Sequence, residues 1–475
     1  MPIKKQLVWL RSDLRIHDNR ALYYASQSGP VMCVFIAFPK QWQIHRDSHN
    51  KLWFFQENLA VLKERLALLN IPLLQIEAKT FDQASVALTD LAKLHQCEGI
   101  WFNDEYGVNE LQRDAQVQQD FAAINKACTR FTDQLLFKPG SIVSGKGEYY
   151  KVFTPFKKAL YRQLNTSDIA PVPAPPGQDS GLFSSLRHSE SNTRYTPISP
   201  GVTSLWQPGE DAAMTRLQQF IEHQAEGYQK DRDYPALPGT SMLSPWLTVG
   251  AISIRQCFHS ALMANGGELD SGSEGITCWL SELVWREFYR HILVGFPRLS
   301  KGRAFVESTE KLPWQHDDRL LSAWKQGLTG FPLVDAAMRQ LVENGWMHNR
   351  LRMVSAMFLS KNLMLDWRLG ERFFMEHLID GDLAANNGGW QWSASTGTDA
   401  APYFRMFNPV NQSRKFDPEG TFIREWLPEL KDLDHKQIHE PYGKIPGRQD
   451  LDYPEPIVDH SESRKRVLEV FKSLS

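Results

Sequence analysis

Residues 378–401 read LIDGDLAANNGGWQWSASTGTDAA, a polar stretch unlike the segments on either side. Asp380 and Asp382 precede Asn386 and Asn387, which are followed by two glycines and by two tryptophans one residue apart. Asp and Asn side chains compete for backbone hydrogen bonds inside a helix, and glycine there loses the most conformational entropy. The pattern therefore favours a bendable loop shaped around a flat ligand over the interior of a regular helix. A loop that only links two helices is the alternative.

Overall composition is typical of a soluble globular chain of two or three domains. Of the 475 residues 42% are hydrophobic and 23% charged, and the net charge of −2 gives no global signal for nucleic acid. The five cysteines have neither CxxC nor metal-ligand spacing, which indicates free thiols in a reducing compartment and predicts no metal site. With no signal peptide and no membrane-spanning apolar run, a cytoplasmic location is expected.

The first third of the chain alternates short apolar runs with amphipathic stretches. Strands are predicted at 6–10, 31–37, 71–76 and 99–103, with helices at 52–69 and 81–95. This alternation predicts a Rossmann-like α/β domain with a parallel sheet, although no GxGxxG fingerprint indicates a dinucleotide. Ligands of such sheets lie beyond the carboxyl ends of the strands, so segments 11–15 and 104–110 are candidate ligand contacts.

Composition then changes twice along the chain. Residues 166–207 are rich in Pro, Ser and Gly, which predicts an extended linker. From 208 to 475 the pattern is helical, with a 3.6-residue period at 212–228, 278–294, 333–344 and 350–363. The predicted organisation is an α/β domain at 1–165, a linker at 166–207 and an all-helical domain at 208–475.

One predicted helix carries an unusual face. Glu282, Trp285, Arg286 and Tyr289 recur at spacings of three and four residues, so they share one side of the helix. A carboxyl, an indole and a guanidinium together are too polar for a core and too aromatic for an ordinary surface. The alternative is a surface ion pair between Glu282 and Arg286 beside a packing tryptophan.

Two further clusters suit anionic ligands. In WMHNRLRM at 346–353, Arg350 and Arg352 point to different sides, and a guanidinium can hold a phosphate bidentately. In GTSMLSP at 239–245, hydroxyls precede a predicted helix start, where backbone N–H groups can cradle a phosphate. A solvated helix end and an ordinary helix cap are the alternatives for these two clusters.

Together these clusters resemble the DNA photolyase and cryptochrome family. The resemblance is carried by VWLRSDLRIHDN at 8–19, YKVFTPFKKAL at 150–160, WLSELVWREFYRH at 279–291, WMHNRLRMVSA at 346–356, DGDLAANNGGWQWSASTGTDAAPYFR at 380–405 and FNPVNQ at 407–412. Within the family the chain is most similar to bacterial class I photolyases of cyclobutane pyrimidine dimers. The resemblance implies a light-driven lyase that binds FAD in its helical domain and extrudes the dimer from DNA.

The resemblance also implies a set of FAD contacts. They are Tyr228, Thr240, Ser241, Met242, Leu243, Ser244, Trp279, Glu282, Arg286, Trp346, Asn349, Arg352, Asp380, Gly381, Asp382 and Asn386. Asp380 would serve the N3 side of the flavin and Asn386 its N5 side. A neutral amide cannot supply a proton to N5 as a carboxylic acid could, so the anionic reduced flavin should persist.

Residues for catalysis and for DNA binding are implied in the same way. The catalytic set is Glu282, Trp285, Asn349, Met353, Asn386 and Trp392, and the DNA-binding set is Arg232, Glu282, Trp285, Arg286, Asn349, Arg350, Trp392, Arg405 and Gln412. The two indoles offer flat faces to the extruded dimer. The carboxyl group of Glu282 would donate a hydrogen bond to a pyrimidine carbonyl, and the arginines would neutralise phosphates.

Two accessory functions follow from the resemblance. Trp390, Trp367 and Trp314 match an electron-transfer chain that photoreduces oxidised flavin, with plain core packing as the alternative. Asn109, Glu110 and Lys301 match contacts to a 5,10-methenyltetrahydrofolate antenna. Ser300 replaces a cysteine of a close relative, which leaves 8-hydroxy-5-deazaflavin as the alternative antenna.

Three other functions compete with dimer repair. A blue-light-sensing cryptochrome shares the fold and FAD, but the chain keeps Glu282, Met353 and Asn386 and carries no long C-terminal tail. A (6-4) photolyase would have a histidine-rich substrate pocket, where this chain has Asn349 and Met353. A non-catalytic helical nucleic-acid binder would need neither Asp380 nor Asn386. Without a coiled-coil heptad, a monomer is expected.

Overall fold

The computed structural model describes residues 4–165, 169–183, 193–443 and 451–474. Five strands lie in the first part of the chain: β1 Lys5–Leu10, β2 Val31–Ala37, β3 Leu73–Glu77, β4 Cys97–Asn103 and β5 Ala127–Phe131. The helices up to residue 264 are α1 Arg20–Ser28, α2 Pro39–His45, α3 His49–Leu68, α4 Ala84–Leu94, α5 Val108–Ala123, α6 Phe153–Gln163, α7 Val202–Leu205, α8 Glu210–His223, α9 Tyr228–Asp231, α10 Ser244–Val249 and α11 Ile254–Ala264. The later helices are α12 Glu274–Gly295, α13 Asp318–Gln326, α14 Pro332–Asn344, α15 Asn349–Met357, α16 Trp367–His377, α17 Leu383–Ala394, α18 Pro409–Phe416, α19 Thr421–Trp426 and α20 His460–Lys472.

By compactness the chain divides into two units. Unit 1 comprises Met1–Pro197, Trp206–Ala225 and Ser241–Pro297, whereas unit 2 comprises Ile198–Leu205, Glu226–Thr240 and Arg298–Ser475. Unit 1 thus contains the sheet together with α8, α10, α11 and α12, and unit 2 is built of helices. The predicted functional division at residues 165 and 207 follows composition, and it stays a prediction.

The sheet of unit 1 is parallel throughout, with strand order β3-β2-β1-β4-β5. Its central strands β1 and β2 are apolar and buried, as expected for a sheet covered by helices on both faces. On one face, Leu7 and Trp9 belong to a core that also contains Leu88 of α4 and Phe121 of α5. The predicted α/β class and the four predicted strands are confirmed. The edge strand β5, whose side chains are all partly exposed, was not predicted.

Two predicted α-helices are shorter than their periodicity suggested, and one of them continues as a π-helical turn. The stretch 212–228 is helical only to His223. The stretch 350–363 is α-helical as far as Met357 and continues as a π-helical turn over Phe358–Asn362. A π-turn inserts one extra residue per turn, so the apolar spacing alone could not distinguish it from continued α-helix.

The prediction of a loop at 378–401 is wrong for the middle half of that stretch. Leu383–Ala394 is the α-helix α17, capped by the Asp382 side chain, which accepts a hydrogen bond from the backbone N of Ala385. Asn386 and Asn387 do not disrupt the helix, because their amides bond to the backbone of Glu371 and to the side chain of Gln391. These partners remove the competition for the helix's own hydrogen bonds on which the loop prediction relied.

Candidate functional site

In unit 1, helix α12 carries the face predicted from sequence. Its positions 282, 285, 286 and 289 are half-buried, whereas Leu283, Val284 and Phe288 on the other faces are buried. The helix begins at the cap residue Ser273, whose hydroxyl accepts a hydrogen bond from the backbone N of Ile276. Trp279, one turn before Glu282, is buried against Phe220 with ring centroids 4.8 Å apart. The spacing argument for this face is therefore confirmed.

Trp285 lies on a second aromatic ring from α6. Its indole stacks on Phe153, with ring centroids 3.7 Å apart and an interplanar angle of 6°. Phe288 contacts both rings edge-on, at 5.6 Å from Trp285 and 5.9 Å from Phe153. Phe153 thus covers one face of the indole, and Tyr289 lies 5.5 Å from the indole centroid at an interplanar angle of 33°. A stacking ligand would have to use the face opposite Phe153. Sequence spacing did not reveal Phe153, although it lies within the YKVFTPFKKAL motif.

Arg286 and the segment before α10 are held by backbone contacts within unit 1. The Arg286 guanidinium donates to the carbonyl oxygens of Gln134 at 2.5 Å and Leu247 at 3.4 Å. Arg216 of α8 donates to the carbonyl oxygen of Ser241 at 2.8 Å. Leu243 is buried, whereas Ser241, Met242 and Ser244 are half-buried, and Met242 has a φ of 52° in the left-handed region. Arg216 orders this turn, and no sequence pattern pointed to it.

In unit 2, α15 and the turn before α17 bring several predicted residues together. Arg352 donates to both carboxylate oxygens of Asp380, at 3.0 and 2.8 Å, and to the backbone oxygen of Met347. Both contacts come from the single Nη2 nitrogen of Arg352, and the Asp380 side chain is 3% exposed, so this ion pair holds a buried carboxylate against the guanidinium. Of the other predicted residues in these elements of unit 2, Gly381 is buried, Asn349 is exposed, and five are half-buried: Trp346, Met353, Asp382, Asn386 and Trp392.

Asn386 is fixed through one half of its amide. Its Nδ2 donates to the backbone oxygen of Glu371 at 2.9 Å, which leaves the Oδ1 oxygen as an acceptor. A flavin that carries a hydrogen on N5 presents a donor at that atom, so the amide oxygen and this group are chemically matched. The fixed Asp380 carboxylate likewise suits the N3–H of a flavin. The residues of unit 2 therefore fit the FAD that the resemblance implies.

The residues predicted to contact the DNA backbone are differently placed. Arg350 pairs with Asp233 at 2.7 Å, and its guanidinium lies 4.4 Å from the ring centre of Phe416. Arg232 lies over the buried Tyr228, at 5.2 Å from its ring centre. Arg405 is exposed, and Gln412 is half-buried in α18. Arg350 and Arg352 thus point to different partners, as predicted, and the DNA-binding roles stay predictions.

The N-terminus of α15 is capped by a buried histidine. His348 caps α15: its Nδ1 accepts from the backbone N of Arg350 at 3.2 Å. Burial lowers the pKa of His348 to about 4, and Arg350 and Arg352 lower it further against the opposing effect of Asp233. A neutral imidazole is what this cap requires, because a protonated Nδ1 could not accept the bond.

The three predicted electron-transfer tryptophans lie in unit 2, two of them buried and one half-buried. Trp390 and Trp367 are 2% and 1% exposed, and Trp314 is half-buried. Trp390 belongs to α17, and its ring lies directly over Gly370 of α16, three residues after Trp367. A Cβ at Gly370 would come within 2.1 Å of the Trp390 ring. The residue after Trp314 pairs with Leu365, next to α16.

The predicted antenna residues fall in both units. In unit 1, the Asn109 amide lies 2.9 Å from Nε2 of His45, and the Glu110 carboxylate lies 3.6 Å from Nδ1 of the same ring. Burial raises the pKa of Glu110, against the opposing effect of His45. Lys301 is exposed in unit 2. His45 is a further polar group beside two predicted contacts, and no motif had singled it out.

The segment after β1 is not open to a ligand, in contrast to the prediction for residues 11–15. Arg11 pairs with Asp114 at 2.7 Å, and Arg15 pairs with Asp133 at 2.6 Å, all four side chains being buried. Asp13 accepts hydrogen bonds from the Arg11 backbone N and from the Asn103 amide, both at 2.6 Å. These ion pairs and hydrogen bonds lie inside unit 1. Those of Arg11 and Asp13 join the residues after β1 to Asn103 at the end of β4.

Two features are absent from residues 4–165, 169–183, 193–443 and 451–474. No helix among these residues combines the length and apolar character needed to cross a bilayer. Within the same ranges, no group of three or more His, Cys, Asp or Glu side chains is arranged to hold a metal ion.

Comparisons with known proteins identify the class that this fold and these residues define. A family described as DNA photolyase matches residues 6–176, and one described as FAD binding domain of DNA photolyase matches residues 279–473. Deoxyribodipyrimidine photo-lyase of Escherichia coli is 46% identical over 470 residues, covering 98% of each chain. The chain belongs to the DNA photolyase family.

Solved structures agree with this assignment. A bacterial class III photolyase from Agrobacterium tumefaciens aligns with a TM-score of 0.87 and 32% identity, covering 100% of this chain and 98% of that chain. A cryptochrome from Synechocystis aligns with a TM-score of 0.88 and 27% identity, covering 99% and 100%. The predicted fold class and the resemblance stated from sequence are confirmed.

Proposed function

We propose that this protein uses light to split cyclobutane pyrimidine dimers in DNA. Family membership and 46% identity with a deoxyribodipyrimidine photo-lyase support the reaction class. The observation on which we rely most is the half-buried face of α12. It carries the Glu282 carboxyl group and the Trp285 indole, one face of which is stacked on Phe153. A flat, uncharged, carbonyl-bearing substrate such as a pyrimidine dimer matches that combination.

FAD, when bound and reduced, supplies the electron that light transfers to the dimer. The residues of this chain hold that group and tune it. Arg352 fixes the Asp380 carboxylate for the N3 side, and Glu371 fixes the Asn386 amide for the N5 side. The Asn386 amide is not an acid, so it offers no proton to N5. The remaining FAD contacts implied by the resemblance are part of the same proposal.

The dimer would be received by stacking and by one hydrogen bond. Trp285 and Trp392 supply flat faces, each contributing about 1–3 kcal/mol by analogy with single-strand stacking. Glu282 donates a hydrogen bond to a pyrimidine carbonyl, and this bond strengthens as negative charge develops on the ring, which is the condition for catalysis. Arg232, Arg286, Arg350, Arg405 and Gln412 would lie along the DNA backbone.

The accessory groups complete the proposal. Trp390, Trp367 and Trp314 would carry electrons between the flavin and the surface. Asn109, Glu110 and Lys301 would contact a methenyltetrahydrofolate antenna, and a deazaflavin is the alternative that Ser300 keeps open. We also infer that the protein acts as a cytoplasmic monomer.

The rival function is blue-light sensing, because the Synechocystis cryptochrome shares the fold with a TM-score of 0.88. A (6-4) photolyase is the nearer enzymatic rival. Asn349 and Met353 occupy one side of α15 where such an enzyme would place histidines. Both residues are accessible to a ligand in this structure, being exposed and half-buried respectively.

The test is a repair assay. Purified protein with reducing agent would be mixed with an oligonucleotide that carries one thymine cyclobutane dimer, under light near about 380 nm and in the dark. A matched oligonucleotide with a (6-4) lesion runs beside it. Loss of the dimer only under light is expected. Binding of FAD without dimer loss would contradict the proposal in favour of signalling, and loss of only the (6-4) lesion would reassign the substrate.

A further inference from the structure

Lys361 is a buried lysine with a single hydrogen-bond partner. It lies in the π-helical turn Phe358–Asn362 that follows α15, and it is 0% exposed. Its Nζ donates to the backbone oxygen of Arg405 at 2.9 Å, and no carboxylate of the described residues pairs with it. Burial lowers the pKa of Lys361 to about 7, and the charge of Arg405 lowers it further. An ammonium in such a place destabilises the fold, since apolar side chains could fill the same volume without desolvation cost.

The bonded oxygen belongs to a short segment with a mixed surface. Tyr403 stacks on Phe471 of α20, with ring centroids 5.4 Å apart and an interplanar angle of 3°. The backbone N of Phe407 donates to the sulfur of Met357 at 3.2 Å. Between these two fixed points, Phe404 is 61% exposed and Arg405 is exposed as well. Lys361 therefore ties down the middle of a segment that presents one aromatic ring and one guanidinium outward.

We propose that Lys361 is a positioning residue for DNA binding, which holds the backbone of Arg405 so that Arg405 and Phe404 meet the DNA in a fixed geometry. This inference rests on the proposed repair function. An exposed arginine beside an exposed aromatic ring suits a phosphate and a base, and it binds them more tightly when its backbone is already ordered. The π-turn supports the role, because such turns recur at functional sites.

The alternative is that Lys361 stabilises the fold. The contacts around Lys361 argue against a stabilising role. Helix α20 packs on the π-turn, but its His460 bonds to the Asn362 side chain and its Arg466 donates to the Asn362 backbone oxygen, so these contacts do not involve Lys361. Among the described residues the only charge that acts on the lysine is the like charge of Arg405. A lysine kept where it costs stability is better explained by the one bond that it makes.

The experiment uses the FAD-loaded protein and the Lys361→Met variant, whose side chain is also unbranched but one atom shorter and lacks the donor. Three quantities are measured: thermal unfolding, FAD absorbance, and the Kd for dimer-containing DNA at several salt concentrations. We expect unchanged or higher unfolding temperature, unchanged FAD content, and a Kd raised about 5- to 10-fold. The slope of log Kd against log salt should fall by about 1, as for one lost phosphate contact. Lys431→Met, which removes one exposed lysine charge in the same unit, is the matched control and should leave the Kd unchanged.

A double-mutant cycle with Arg405→Ala identifies the path of the effect. If Lys361 acts through Arg405, the Lys361→Met change should raise the Kd little in the Arg405→Ala background. An unchanged Kd in a folded Lys361→Met protein would overturn the inference, and so would a fall in stability with loss of FAD, which marks a structural lysine. The proposed function would fail on a different result, namely that the wild-type protein shows no light-dependent dimer loss.

Discussion

The ring of Phe153 stacks on one face of Trp285, at a centroid distance of 3.7 Å and an interplanar angle of 6°. The two residues come from α6 and α12, and both are enclosed further by Phe288. An indole backed in this way cannot tilt away from a ligand. Its free face is ordered before binding, which reduces the entropy that stacking would otherwise lose.

Replacing Phe153 by leucine should weaken the preference for damaged DNA. Loss of the aromatic pair removes about 0.5–1.5 kcal/mol of support for the indole, which corresponds to a Kd for dimer-containing DNA about 2- to 10-fold higher. Binding to undamaged DNA should hardly change. The ratio of the two Kd values is the measurement. Phe156→Leu is the control, since Phe156 is buried in the same helix but packs on Phe288 and His291. Equal loss in both variants would rule out a specific role for Phe153.

Replacing Glu282 by glutamine should lower the repair yield per absorbed photon about 3- to 10-fold, the size expected for one weakened hydrogen bond in the reaction. FAD content and DNA affinity should be retained, because the amide keeps the size of the carboxyl group. The yield is measured on prereduced protein with saturating dimer-containing DNA. An unchanged yield would remove Glu282 from the reaction, and the FAD absorbance of each preparation is the control for folding.

Replacing Trp314 by phenylalanine should abolish light-driven reduction of oxidised FAD in the presence of a surface reductant. Trp314 is the most exposed of the three predicted electron carriers, so its loss closes the route at the solvent end. Repair by chemically prereduced protein should be unaffected. Absorbance of the flavin during illumination measures the first quantity, and the dimer assay measures the second. Photoreduction at the wild-type rate would show that Trp314 is only a packing residue.

The stability cost of Lys361 should depend on pH. Its folded-state pKa is about 7, below the ordinary value of 10.5, so between these values the unfolded chain holds a proton that the folded chain lacks. Stability of the wild type relative to Lys361→Met should therefore rise from pH 7 towards pH 10.5, with a slope approaching about 1.4 kcal/mol per pH unit. Below pH 7 the difference should be constant. Denaturant unfolding of both proteins from pH 6 to 9 measures it, and a difference independent of pH would contradict the assigned pKa.

The sequence predicted what depends on regular spacing. The apolar runs of β1 to β4 and the α12 face of Glu282 and Trp285 could be recognised because each pattern is periodic and local. The edge strand β5 was missed, since its partly exposed side chains give no apolar run. The loop prediction at α17 failed for another reason: the amides of Asn386 and Asn387 found partners that spacing cannot show.

Contacts between distant segments formed the other unpredicted part of the site. Phe153 reaches Trp285 from another helix, and Lys361 reaches a carbonyl that lies 44 residues away. His45 contacts Asn109, which lies 64 residues further along the chain. No local pattern signals such pairs, because packing of the folded chain creates them. The motif around Phe153 was visible in the sequence, but its use as a support for an indole was not.

Gly370 has a consequence that reaches beyond packing. Because even a methyl group there would overlap the Trp390 ring, position 370 restricts where that indole can lie without carrying any redox chemistry itself. A Gly370→Ala protein would retain all three tryptophans, yet its indole would have to shift, and electron tunnelling rates fall steeply with separation. The absence of a side chain at position 370 thus bears on the predicted electron route, in which Trp390 takes part.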